Sequence, residues 1–250
     1  MKNMIRLNKF LAMAGVCSRR KADSCISSGL VKVNNVTVRE HGTMVDPGKD
    51  RVRFRDREIN SPGTGGDKHV YLVLNKPAQV VTTVRDPQGR KTVMDFLPEK
   101  FRTKRLFPVG RLDYFSQGLI ILTTDGELTH RLTHPSWNHQ KVYEVIVREK
   151  PEKKTLETMS RGMTLSDGQR LAPVKVRILA SGSGLTTLEM VLTQGVNRQI
   201  RRMCADLGLT ILKLTRISQG PVRLRDLKTG QCMELDPSVV RSLLASAGLD

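Results

Sequence analysis

Short apolar runs of strand length recur along the larger part of this chain, and helical patterns between them are few. The runs cover residues 70–74, 80–84, 119–122, 142–147, 174–179 and 185–192. The clearest helical stripe comprises Ile200, Met203, Cys204 and Leu207, followed by Gly208, and a second lies near Val240, Leu243 and Leu244. Because strands and helices do not alternate regularly, the pattern predicts an α+β domain built on a largely antiparallel mixed sheet with flanking helices.

The N-terminal part of the chain predicts a small unit of two helices and a hairpin. The apolar residues of the first helix recur at helical spacing before Gly15, namely Leu7, Phe10, Leu11 and Ala14. Ser18 is suited to cap a second helix, and valines alternate on both sides of Asn34-Asn35, which is typical of a tight hairpin turn. A basic strand is expected over residues 51–55. The predicted organisation is a small domain at residues 4–60, a linker at 61–68 and a large domain at 69–250.

Charge and cysteine usage narrow the class of protein. The 42 Lys and Arg exceed the 24 Asp and Glu, for a formal net charge of +18, which favours nucleic acid or an anionic membrane surface as the partner. No apolar run reaches the length of about 18 residues that a membrane span needs, and Arg6 and Lys9 interrupt the apolar start. Four dispersed cysteines favour reduced thiols. We expect a cytoplasmic monomer without a metal or a cofactor.

Asp113 is the leading candidate for chemistry. It ends the turn at residues 110–113 (GRLD) and precedes the apolar run at 119–122. A carboxylate repels phosphate, so its position in a protein suited to polyanions favours a catalytic role. The predicted helix after residue 197 carries three arginines on its polar side, Arg198, Arg201 and Arg202. A guanidinium beside Asp113 would favour its charged form.

Three other interpretations are open on the residues alone. His130 and His134 have the i, i+4 spacing of a metal-binding helix, but no third ligand follows at a standard spacing, so metal is disfavoured. Ser116, Asp125 and His134 can be combined into a triad, although the chain has no nucleophile elbow. Asp113 and Asp125 can be combined into the carboxylate pair of a glycosidase.

Two further features suit a nucleic acid as the partner. The first turn of the second predicted helix carries Arg19, Arg20 and Lys21, which together with backbone N–H groups can cradle phosphates. Tyr143 lies in a predicted strand of a chain with few aromatic residues. A tyrosine at such a position packs in the core or, in a nucleic-acid enzyme, stacks on an extruded base.

Four sequence blocks of the large domain carry a resemblance to a known family. They are residues 75–77 (NKP), 110–126 (GRLDYFSQGLIILTTDG), 141–143 (KVY) and 194–203 (QGVNRQIRRM). The chain resembles the RsuA/RluB/RluE/RluF group of bacterial ribosomal RNA pseudouridine synthases over nearly its whole length, and residues 5–50 are similar to an S4 RNA-binding domain. Two positions depart from the family pattern: Gln79 stands where glycine is expected, and Val196 where a basic residue is usual.

The resemblance implies roles for individual residues. Asp113 matches the essential aspartate, Tyr143 matches the tyrosine that packs against the target base, and Arg201 matches the basic partner of the aspartate. Expected substrate contacts are Arg111, Leu214, Asn197 and Arg198. Expected RNA-binding residues of the S4-type domain are Arg6, Lys9, Ser18, Arg19, Arg20, Lys21 and Lys32.

The reaction that the resemblance implies is the isomerisation of uridine to pseudouridine in ribosomal RNA, with the large subunit favoured. It requires an extruded nucleotide and neither metal nor cofactor. Asp113 can act as nucleophile at C1′ or as base at C2′, and the sequence leaves both possible. A different class also stays open: a non-catalytic RNA-binding or ribosome-assembly protein that keeps the S4-type domain.

Overall fold

The computed structural model describes residues 4–60 and 68–249, and the chain divides into two compact units at residue 68. Apart from Lys68, the linker expected at residues 61–68 lies outside the described residues. Within the described residues, no helix combines the length and the apolar character that a membrane crossing needs.

The N-terminal unit packs two helices against short strands. Its elements are β1 (Ile5–Arg6), α1 (Leu7–Met13), α2 (Arg19–Ser27), β2 (Val31–Val33), β3 (Val36–Val38), β4 (Met44–Val45), β5 (Val52–Phe54) and β6 (Arg57–Ile59). The strand order β3-β2-β5-β6 forms one sheet, and β1 pairs with β4. The predicted hairpin is confirmed, because Asn34 and Asn35 have φ angles of 50° and 68° between β2 and β3. Two left-handed residues match the twist of the flanking strands.

The C-terminal unit is a twisted sheet with helices on its faces. Its elements are β7 (Tyr71–Lys76), β8 (Phe107–Pro108), β9 (Gln117–Thr123), α3 (Gly126–Thr133), β10 (Lys141–Val147), α4 (Lys153–Arg161), β11 (Lys175–Gly182), β12 (Leu185–Leu192), α5 (Gln199–Asp206), β13 (Ile211–Gln219), β14 (Val222–Arg223), β15 (Cys232–Glu234) and α6 (Pro237–Ser246). The main strand order is β11-β12-β10-β13-β9-β7-β15. Neighbouring strands in this order are antiparallel, except that β13 and β9 are parallel.

Both faces of the sheet are covered at β7 and β9. One face buries Leu72, Leu74, Ile120 and Leu122 in a cluster with apolar residues of the segment between β7 and β9. The other buries Val73, Leu119 and Ile121 in a cluster with residues of α3 and α6. A strand covered on both faces is apolar at nearly every position, which explains the unbroken apolar runs in this part of the sequence.

The strand predicted at residues 80–84 is wrong. Only Val81 forms a β-bridge there, with Thr92. Thr82 instead donates its hydroxyl to the backbone oxygen of Leu112 at 2.7 Å. A threonine side chain that bonds to backbone groups competes with strand pairing, so this segment becomes a loop fixed against the residue before Asp113.

The sequence patterns also miss β13, which joins the two halves of the sheet. The strand buries four polar residues, Thr215, Arg216, Ser218 and Gln219. Hydrophobic periodicity therefore does not mark it as a central strand. The consequence is that β13 brings a row of buried polar groups into the middle of the domain.

Candidate active site

One cleft collects all the catalytic and substrate-binding residues that the sequence predicts in the large domain. It lies where the loop before β9, the strands β10 and β13, and the start of α5 meet, and its volume is about 250 Å³. The predicted residues that line it are Arg111, Asp113, Tyr143, Asn197, Arg198, Arg201 and Leu214. This volume lies just below the range of about 300–1,000 Å³ that is typical of small-molecule sites.

Asp113 begins the turn that leads into β9, and its carboxylate is accessible. Ser116 donates its backbone N–H to the Asp113 carbonyl at 3.0 Å. The Asp113 side chain is 40% exposed, and its Oδ2 lies 3.9 Å from Nε of Arg201 in α5. Arg201 also donates from Nη2 to the Ser116 hydroxyl at 3.2 Å. Burial lowers the pKa of Arg201, and the Asp113 carboxylate opposes that shift. The cleft therefore presents an open carboxylate beside an oriented guanidinium.

Lys76 is a second cation that acts on Asp113, and the sequence patterns assigned it no role. It ends β7 with its side chain fully buried, and its Nζ donates to the backbone oxygens of Pro77 and Val80 at 2.8 Å each. Burial lowers the pKa of Lys76 to about 8, and the Asp113 carboxylate opposes this shift. A lysine at the end of a buried strand, in the NKP block, was the available signal.

The buried ammonium predicts a pH-dependent stability. Between pH 8 and 10.5 the folded protein holds fewer protons at Lys76 than the unfolded chain does, so the free energy of unfolding rises with pH there. Relative to Lys76→Met, wild-type stability should increase by up to about 3 kcal/mol across this range. Denaturant unfolding of both proteins below pH 8 and near pH 10.5 measures the difference. A constant difference between the two proteins would contradict the expectation.

Tyr143 and Leu214 give the cleft an apolar wall. They come from neighbouring strands, because Tyr143 pairs with Arg216 and Val145 pairs with Leu214. Tyr143 is partly buried and packs against two apolar clusters, and Leu214 is 6% exposed. Tyr143 is thus a core residue and a residue of the cleft at once.

The start of α5 brings polar side chains to the cleft. Asn197 and Arg198 are exposed there, and Arg198 caps the helix with a left-handed φ of 50°. Arg202 does not line the cleft, since it donates to the Gln169 side chain at 2.7 Å and forms an ion pair with Asp167. Of the three arginines on the polar side of this helix, Arg198 and Arg201 therefore line the cleft and Arg202 does not. Consecutive helical residues point about 100° apart, and this rotation separates it from Arg201.

The two departures from the family pattern have visible local effects. Gln79 has a φ of 60°, and its backbone N–H donates to the carbonyl of Tyr114 at 2.6 Å. The loop therefore keeps the left-handed conformation that glycine adopts most easily, at a cost of about 1 kcal/mol. Val196 is partly buried, lines the cleft and packs against the neighbouring apolar cluster.

Asp125 is the N-cap residue of α3. Its Oδ1 accepts hydrogen bonds from the backbone of Glu127 and Leu128, and its Oδ2 accepts one from the Tyr71 hydroxyl at 2.9 Å. It does not line the cleft. A carboxylate pair made of Asp113 and Asp125 therefore has no support in the geometry.

The histidine interpretations also lack support. His134 Nδ1 contacts the Ser136 hydroxyl at 2.7 Å, while the Ser116 hydroxyl accepts from Arg201. The rings of His130 and His134 lie 5.2 Å apart. Over residues 4–60 and 68–249, no group of three or more His, Cys, Asp or Glu side chains is arranged to hold a metal ion.

The residues expected to bind RNA in the N-terminal unit have differing surroundings. The Ser18 oxygen accepts from the backbone N–H of Lys21 at 3.2 Å and so caps α2. Arg19, Arg20 and Lys21 are exposed on the first turn of that helix. Lys32 forms a 2.7 Å ion pair with Asp56. Arg6 is exposed and Lys9 is partly buried.

Comparison with known protein families assigns this chain to one of them. The family model described as RNA pseudouridylate synthase matches residues 70–206, and the S4 domain model matches residues 5–51. The chain therefore belongs to the RNA pseudouridine synthase family and carries an N-terminal S4 domain. The fold class and the enzyme class predicted from the sequence are confirmed.

Individual relatives agree over the full length. An uncharacterized RNA pseudouridine synthase of Aquifex aeolicus is 39% identical, over 98% of this chain and 96% of the relative. Ribosomal large subunit pseudouridine synthase B of Bacillus subtilis is also 39% identical, over 98% of this chain and 97% of the relative. A crystal structure of a pseudouridylate synthase superposes with a TM-score of 0.67 at 27% identity, covering 96% of this chain and 99% of that one.

Proposed function

We propose that this enzyme converts a specific uridine of ribosomal RNA to pseudouridine, and that the target lies in the large subunit. The reaction breaks the C1′–N1 bond, turns the base and joins C5 to C1′. The observation that carries the proposal is the accessible Asp113 carboxylate, 3.9 Å from Arg201, in a cleft that Tyr143 and Leu214 also line. The ribosomal target is supported by the full-length similarity to a large subunit synthase.

Asp113 is the group that acts on the sugar. An extruded uridine places its ribose within reach of the carboxylate, which attacks C1′ or removes a proton at C2′. Arg201 orients the Asp113 carboxylate before it reacts, and Lys76 places a second positive charge near it. Tyr143 and Leu214 contact the base, and Arg111, Asn197 and Arg198 contact the surrounding RNA. The exposure of the last three residues at the cleft supports that role.

The target is found by mapping pseudouridine in total RNA from cells with and without the gene. We expect one or a few uridines in the large-subunit RNA to lose the modification when the gene is deleted. A site in the small-subunit RNA or in transfer RNA would correct the proposed target and leave the reaction intact. Identical maps in the two strains would contradict the proposal.

Arg201→Ala should reduce catalysis far more than RNA binding. Loss of a charged group aimed at a reacting centre typically lowers kcat by about a hundredfold, whereas one exposed phosphate contact affects affinity alone. Arg201→Lys should restore part of kcat, because it keeps the charge but loses the bond to Ser116. Arg202→Ala, on the same helix but outside the cleft, is the matched control. Equal losses in kcat and affinity for Arg201→Ala would identify it as a phosphate contact instead.

The first turn of α2 should supply salt-dependent RNA affinity. Replacing Arg19, Arg20 and Lys21 together by Ala should lower the slope of log affinity against log salt by about 2, because each phosphate contact with single-stranded RNA releases counterions. The comparison is a triple variant of α4, in which Lys153, Lys154 and Arg161 are changed to Ala. An unchanged slope for the α2 variant would remove this helix from the RNA interface.

A further inference from the structure

The cleft contains polar residues that the proposed reaction does not use. His139, Lys141, Arg216 and Gln219 line it together with the residues that surround Asp113, and we refer to these four as the polar cluster. Lys141 Nζ donates to the backbone oxygen of His139 at 3.2 Å. Lys141 and Gln219 are paired across β10 and β13. The cluster is therefore continuous along two neighbouring strands.

A β-bulge brings these side chains to one face of the sheet. Lys141 pairs with Gln219, and Tyr143 pairs with Arg216. The register shifts between the two pairs, so β13 holds one more residue than β10 across the same span. Without the extra residue, positions 216 and 219 would point to opposite faces. Bulges of this kind re-aim side chains next to active sites.

Three members of the polar cluster are buried with unused hydrogen-bonding atoms. Arg216 is 2% exposed, Gln219 is 1% exposed and His139 is 9% exposed. Arg216 donates from Nε to the backbone oxygen of Leu119 at 2.8 Å. In the part of the chain that the structure describes, Arg216 Nη2, Gln219 Oε1 and His139 Nε2 have no partner. Buried polar atoms are rarely left in that state, so these three indicate a ligand.

The charge of the polar cluster indicates which chemical class of ligand it binds. Lys141 and Arg216 are two cations close enough to interact, since burial and then the charge of Arg216 lower the pKa of Lys141. Burial, together with the charge of Lys141, lowers the pKa of His139. No carboxylate among the described residues forms an ion pair with either cation. A pair of partly desolvated cations without a counter-charge requires an anion, and the free Gln219 oxygen requires a hydroxyl or N–H donor.

We propose that the polar cluster binds one ribose-phosphate unit of the RNA strand next to the target nucleotide. Lys141 and Arg216 hold the phosphate, and Gln219 accepts a hydrogen bond from the ribose 2′-hydroxyl. This subsite deepens the proposed function and rests on it for the identity of the polymer. A 2′-hydroxyl beside a phosphate is what separates RNA from DNA, so the cluster also selects the type of nucleic acid.

The test measures RNA affinity in double-mutant cycles, each of which combines one protein substitution with one chemical change in the RNA. The RNA is a single-stranded pentanucleotide that has one central uridine between adenosines. The protein carries Asp113→Asn, so that binding is read without turnover. A methylphosphonate linkage on one side of the uridine should weaken binding by about tenfold, the effect of one lost charged hydrogen bond. Lys141→Met should weaken binding of the unmodified RNA by a similar factor. The methylphosphonate linkage should weaken binding to this variant by less than about tenfold, because only Arg216 still contacts the phosphate.

Lys213→Met is the matched control, since Lys213 lies exposed on the same strand as Arg216 and Gln219, outside the cleft. It should keep the full methylphosphonate effect. A second cycle pairs Gln219→Leu with 2′-deoxy substitution of the nucleotides beside the uridine, and thermal unfolding verifies that each variant folds. If the loss from the protein substitution and the loss from the RNA change multiply, the two groups do not interact, and the phosphate or the 2′-hydroxyl part of the proposal is wrong. Absence of pentanucleotide binding would overturn both parts. These results are independent of pseudouridine formation, so failure of the subsite and failure of the proposed function are distinguishable.

Discussion

Replacing Asp113 by Asn is expected to abolish pseudouridine formation while RNA binding persists. Asn keeps the size and polarity of the side chain but removes the negative charge and the nucleophilic oxygen, so the step at the ribose cannot proceed. Loss of a reacting group of this kind lowers kcat by about three orders of magnitude or more. The turn should survive, because its hydrogen bond uses the Asp113 backbone oxygen and not the carboxylate. Pseudouridine release assays and RNA affinity measurements separate the two effects.

Asp226→Asn is the matched control for this experiment. Asp226 is an exposed aspartate of the same unit and does not line the cleft, so its replacement by Asn should leave both rate and affinity unchanged. An Asp113→Asn enzyme with near-normal kcat would exclude Asp113 as the reacting group. Loss of RNA binding in step with activity would instead indicate that Asp113 positions the RNA.

The local structure of the N-terminal unit was readable from its sequence because each signal there is short in range. Helical spacing and Ser18 define α1 and α2, and two asparagines with left-handed φ define the hairpin. The geometry of the active site could not be read from short-range signals in the same way. Asp113 and Arg201 belong to distant segments, and only the pairing of β9 with β13 and the packing of α5 bring them within 3.9 Å. The pattern of residues suggested that Asp113 lies beside the arginines of this helix, and the family resemblance singled out Arg201.

Buried polar residues explain what the sequence could not reveal. Lys76 and Arg216 occupy strand positions that hydrophobic periodicity expects to be apolar, and both are enclosed. Alternation along β10 does place Lys141 beside Tyr143, so that member of the polar cluster was within reach. Gln219 was not, because the bulge in β13 breaks the two-residue period. Arg216 and Gln219, which disobey the simple rules, line the cleft, and Lys76 interacts electrostatically with Asp113. Such exceptions are expected at functional sites.

Gly118 is the position where the backbone itself limits the site. It lies in β9 opposite Arg216 of β13, at the parallel pairing that joins the Asp113 loop to the strand carrying Leu214. Its φ is +102°, and a Cβ at this position would overlap the backbone oxygen of Arg216 and lie 2.8 Å from its nitrogen. Neither atom can move without separating the two strands. A side chain at position 118 is thus disfavoured for two reasons: the positive φ angle and the overlap with the backbone of Arg216.

Gly118→Ala should therefore destabilise the domain by about 4 kcal/mol or more, because overpacking and strain at a special φ are among the few causes of such large losses. Gly184→Ala is the matched control, since Gly184 has a φ of +72° with no atom near the added Cβ, and it should cost only about 1 kcal/mol for the left-handed conformation. The difference between the two free energies of unfolding isolates the clash. If Gly118→Ala folds, the wider spacing of β9 and β13 should also displace Asp113 from Arg201 and lower kcat. Equal losses of stability in the two variants would show that the close approach of these strands does not constrain the site.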